Sequence, residues 1–126
     1  MTTPRTRPRK LSRGAWALAG VILLAAGLRL HGVGFGLPAL LDPDEPLFMM
    51  LAFDMLRHQT LNPHWFGHPA TTTLYGLALT ILGVMAAGLA TGHFADAAGF
   101  ARAIYADPGI VFLPARLTIV ASGVLC

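Results

Sequence analysis

Asp42, Asp44 and Glu45 fall within four consecutive positions, with Pro43 and Pro46 separating and closing the group. Carboxylates can take a proton from a hydroxyl when suitably placed, or hold a hard cation. Each proline pushes the residue before it away from helical backbone angles, so Asp42 and Glu45 are expected to be extended, with a helix starting at Pro46. Two acids would thereby be fixed at a helix start. A simpler role for Asp44 is an anion at the positive end of that helix, worth ~1 kcal/mol and needing no catalysis. A third possibility is a metal site, in which these acids join His64 and His68 as oxygen and nitrogen ligands to a divalent cation. Four of the six acidic residues, Asp42, Asp44, Glu45 and Asp54, lie in this one region.

The elements that must position these acids are strongly apolar. Of 126 residues, 55% are hydrophobic and 12% charged, a balance that describes an integral membrane chain of at most one domain. Five of the nine basic residues (Arg5, Arg7, Arg9, Lys10 and Arg13) sit in the first thirteen positions, a tail expected to lack structure. Beyond them four arginines face six acids, which argues against nucleic-acid binding. A single cysteine, Cys126, excludes an internal disulfide and a cysteine-based zinc site.

Three apolar runs follow. The first holds fifteen uncharged residues between Arg13 and Arg29 and is expected to span as a helix over about 14–36 if Arg29 snorkels. A cleaved signal peptide is its competitor, having the same basic start and short apolar core. The second, 70–90, contains 21 uncharged residues and is the clearest span. The third, 109–126, follows Asp107-Pro108 and contains Pro114 and Arg116. Arg116 is near enough to the helix start to snorkel or to pair with Asp107. Only ten uncharged residues follow it, with no interfacial flank, which suggests the amino-terminal part of a longer protein.

The basic tail keeps the N-terminus cytoplasmic, which puts the acid-bearing loop, about 37–69, on the outer face. Within that loop Pro46 to His58 reads as an amphipathic helix with Asp54, Arg57 and His58 on one face. It is too short to span and is expected half-sunk at the outer interface, followed by a turn at Leu61-Asn62-Pro63 and an interfacial Trp65. In the cytoplasmic loop, Phe100, Ile104 and Tyr105 are spaced as one helical stripe along the membrane surface. The expected fold is therefore an all-α membrane protein: three transmembrane helices and an outer-face interfacial helix, part of a larger bundle.

A basic tail, one span, an outer loop reading P-D-E-P, an amphipathic helix, L-N-P, W-F, a further proline and a second span with an early tyrosine resembles the amino-terminal part of polytopic GT-C class glycosyltransferases. The nearest branch is the bacterial one grouped with protein O-mannosyltransferases, lipid A aminoarabinose transferases and rhizobial lipopolysaccharide glycosyltransferases. The segment "FARAIYADPGIVFLPARLTIVASGVL" is similar to the F-A-x-x-Y-x-x-D-P…R segment that opens the third helix there. The likeness runs over about residues 14–126.

The resemblance implies an inverting enzyme of the bacterial inner membrane. It would move a sugar from a polyprenyl-phosphate carrier to a glycan, lipid or protein acceptor at the periplasmic face. Asp44 matches the family's first-loop aspartate and would be the general base, set in a semi-buried loop. Glu45 would support it by orienting the acceptor or a neighbouring cation. His68, standing where an aromatic residue commonly precedes the proline, would be a supporting or substrate-binding group. The carrier-phosphate groups of such enzymes come from later helices, so these residues alone are expected to be inactive. Two other classes compete: a small non-enzymatic multi-pass subunit or scaffold, and an exported soluble domain in which 70–90 is a core helix.

Overall fold

The computed structural model describes residues 12–67 and 71–125. It contains five helices and, among the described residues, no strand: α1 Arg13–Leu30, α2 Asp44–Arg57, α3 Thr71–Ala90, α4 Ala97–Ala106 and α5 Gly109–Leu125. Two of them, α1 and α3, are long and apolar enough to cross a membrane by themselves. The 17-residue α5 reaches that length only together with α4, and those two meet at 86°. The described residues thus hold two or three candidate spans where the sequence pattern predicted three.

α1 starts at Ser12, whose hydroxyl accepts the Ala15 N–H at 3.2 Å and so satisfies one orphan donor of the first turn. None of its residues is fully buried, and large apolar side chains such as Leu23 and Leu28 are exposed. The helix ends at Leu30, well before the expected limit near residue 36. The cause is the glycine alternation that follows: Gly32 and Gly36 adopt φ of +74° and +76°, which a helix cannot accommodate. The chain instead forms successive tight turns, in which Val33, Phe35 and Leu37 N–H groups donate to the carbonyls of Leu30, Gly32 and Gly34.

α2 begins two residues earlier than the prolines suggested. The Asp42 carboxylate accepts the Asp44 N–H at 3.0 Å, closing a turn that leads Pro43 into helical angles. Pro46 then lies in the first turn, where its missing N–H would have had no helical partner. Glu45 is accordingly helical and not extended. Met49, Ala52 and Met55, three apart, bury themselves against α3, while Asp54 and His58 stay exposed and pair at 3.3 Å.

The core gathers α2, α3, α4 and α5 around Leu74, Ile81, Phe94, Phe100, Val111 and Phe112. Halfway along α3 and α5 the hydroxyls of Thr80 and Thr118 lie 2.8 Å apart, so a polar pair joins two otherwise apolar helices. Asp107, expected as a partner for Arg116, instead accepts the Gly109 N–H at 2.8 Å and caps α5. The expected stripe on α4 is also split: Phe100 is buried against Phe94, whereas Tyr105 is 93% exposed on the other side.

α3 ends at Ala90; Gly92 just beyond it adopts the left-handed region, and the N–H groups of His93 and Phe94 both return to the Gly88 carbonyl. That reversal folds the Phe94 ring onto the bare α-carbon of Gly88, where a Cβ would overlap ring carbons. Gly88→Ala should therefore destabilise by about 1–3 kcal/mol through overpacking. Gly83→Ala on the same helix meets open space and should be neutral or slightly stabilising. Unfolding titrations in mixed micelles compare the two, and equal stability of both variants contradicts the notch.

Candidate functional site

The start of α2 faces the middle of α5 across an open cleft of about 770 Å³. Asp42, Asp44 and Glu45 line it together with Arg29 and His31 at the end of α1. Much of its remaining wall is apolar, built from side chains such as Leu77 and Ile119. Arg29 reaches this place because α5 carries Gly123 there: a Cβ on Gly123 would lie 3.2 Å from the Arg29 Nε.

The two adjacent acids have different surroundings. Asp44 and Glu45 are successive residues of a helix, so their side chains diverge by about 100°. Glu45 points at α5, where Arg116 Nε donates to Oε1 and Nη2 donates to Oε2, each at 2.6 Å. This is the paired, two-bond geometry in which a guanidinium binds a carboxylate most strongly. Both side chains are largely withdrawn from solvent, at 19% exposure for Arg116 and 18% for Glu45. The remaining Arg116 nitrogen, Nη1, donates to the Val33 carbonyl at 2.8 Å and to the Phe35 carbonyl at 2.7 Å. Those two oxygens are free to accept because the turns of the glycine segment use the alternate carbonyls of Leu30, Gly32 and Gly34.

Asp44 is different. Its carboxylate makes no hydrogen bond or ion pair among the described residues and is exposed at the cleft, where the sequence suggested a semi-buried one. Asp42 uses one oxygen to close the turn before α2. One acid thus closes a turn, one is locked to an arginine, and one is available to a ligand.

His64 lies apart from these acids. The turn expected at Leu61-Asn62-Pro63 is present, with the Asn62 side chain accepting the His64 N–H at 2.9 Å and the Tyr75 hydroxyl of α3 donating to the Leu61 carbonyl at 2.9 Å. Among the described residues no three His, Cys, Asp or Glu side chains group closely enough to hold a metal ion. His68 lies outside the described residues.

Sequence reasoning missed three groups of the site. Arg116 was read as snorkelling or pairing with Asp107, and the carbonyls of Val33 and Phe35 were not considered. The signals that could have found them are an arginine inside an apolar run, which demands a partner, and alternating glycines, which release backbone acceptors.

Over the described residues, the fold and cleft together define an all-helical protein with two or three helices fit to cross a membrane and an acid-bearing cleft beside them. Compared with protein-family models, curated proteins and solved structures, the chain matches none.

Proposed function

We propose that the chain is the acid-bearing amino-terminal part of an inverting glycosyltransferase that uses a polyprenyl-phosphate-linked sugar at the periplasmic face of a bacterial inner membrane. The observation that carries the proposal is the free Asp44 carboxylate at the cleft, immediately beside a Glu45 whose two oxygens are both occupied. The order of motifs from the basic tail to the Asp107-Pro108 segment supports the same reading.

In that reaction the acceptor hydroxyl oxygen attacks the anomeric carbon, and the bond from that carbon to the phosphate oxygen breaks. Its electron pair leaves with the polyprenyl phosphate. Asp44 takes the hydroxyl proton as the new glycosidic bond forms. An open, apolar-walled cleft suits a reaction whose donor resides in lipid and whose acceptor arrives from water. Glu45 acts as a support for the start of α2.

The test is transfer of labelled sugar from a polyprenyl-phosphate donor in vesicles carrying the full-length gene product, with the anomeric configuration of product determined. Transfer with inversion supports the reading; retention of configuration, or no transfer from any such donor, overturns it.

A further inference from the structure

We infer that Arg116 is a positioning residue that decides which of the two neighbouring acids is free. It engages both oxygens of Glu45, which leaves Asp44 as the carboxylate open to a ligand, and it fixes the location of that carboxylate by tying three separate segments together. The inference deepens the transferase reading, on which it rests for the role of Asp44.

The donors of a guanidinium lie in a rigid plane and point in fixed directions. Four of its five N–H groups are used here, two on Glu45 and two on the carbonyls of Val33 and Phe35. Glu45 lies 71 residues from Arg116 in sequence, and the carbonyls lie 83 and 81 residues away. One side chain on α5 therefore registers both the start of α2 and the turns after α1.

Those two segments flank Asp42 and Asp44 in the chain, so holding both leaves the intervening loop little freedom. A lysine cannot reproduce this, because a single nitrogen cannot span two carboxylate oxygens and two carbonyls at once. Arg29, the other arginine at the cleft, makes no hydrogen bond or ion pair among the described residues and does not compete for Glu45.

The experiment measures carboxyl reactivity directly and needs no sugar transfer. Full-length protein in vesicles is treated with a water-soluble carbodiimide and an amine, and adducts at Asp44 and Glu45 are quantified by mass spectrometry. In the unaltered protein Asp44 should be modified about tenfold or more faster than Glu45, whose oxygens are engaged by charge-assisted bonds. In Arg116→Lys and Arg116→Gln the two rates should converge. Equal modification in the unaltered protein overturns the inference with no variant required, as does a preserved difference in a folded Arg116 variant.

A transfer assay then separates positioning from simple loss of fold. Arg116→Lys should lower kcat with little change in KM, whereas a falling yield of folded protein would leave kcat per folded molecule unchanged and count against positioning. If the adduct pattern holds while Asp44→Asn transfers normally, the assignment of Asp44 as the base falls and the sorting of the two acids stands. The reverse result removes the sorting alone.

Discussion

Asp44→Asn is expected to lower sugar transfer by about 10²–10⁴-fold, the usual contribution of a positioned general base. The substitution is close to isosteric and disturbs little else, since among the described residues the Asp44 side chain accepts no hydrogen bond. Its only structural cost is a lost anion in the first turn of α2, worth about 0.3–1 kcal/mol. Insertion and folding should therefore be retained while turnover collapses. Asp42→Asn should be the mildest change at the site, because an asparagine oxygen can still accept the Asp44 N–H that closes the turn. Glu45→Gln falls between them: one bond from Arg116 survives, but the charge that matches the guanidinium is gone. Initial rates at saturating donor rank the three. Near-normal turnover in Asp44→Asn would remove the base assignment whatever the other two do.

How far the sequence led can be judged helix by helix. The run behind α3 was readable because no charged residue interrupts it, and the third run was placed because Asp107-Pro108 marks its start. The end of α1 was misplaced because hydropathy treats glycine as neutral, whereas the backbone of Gly32 and Gly36 turns the chain out of the helix. The start of α2 was misplaced for a related reason. The rule that proline excludes a helical predecessor is weak in a first turn, and the Asp42 side chain tips the balance there.

The acids themselves were legible as a cluster, but their division of labour was not. Nothing local distinguishes Asp44 from Glu45; the difference arises from Arg116, 71 residues beyond Glu45, through a contact that only the folded chain makes. Tyr105 fails for the opposite reason. Its spacing from Phe100 is helical, yet adjacent residues Ile104 and Tyr105 straddle the edge of the buried face, and packing selects one of them.

Arg116→Met is expected to destabilise the folded protein by about 3 kcal/mol, at the lower end of the range for removing one partner of a buried ion pair. The low end applies because both side chains keep some access to solvent, 19% and 18%, so the abandoned Glu45 carboxylate regains part of its hydration. Much of the loss comes from stranding that charge and little from the pair's own attraction, which desolvation offsets. The double variant Glu45→Leu/Arg116→Met should therefore recover most of the lost stability. Recovery should stop short of complete, because the Val33 carbonyl, which accepts from Arg116 in a partly buried position, is left without a donor at a cost of about 1 kcal/mol. The Phe35 carbonyl is exposed and can turn to water instead. Unfolding free energies in mixed micelles for the single and double variants complete the cycle. If Arg116→Met is as stable as the parent, the guanidinium does not join α5 to the start of α2, and if the double variant is no better than the single one, the penalty lies in the carbonyls and not in the stranded acid.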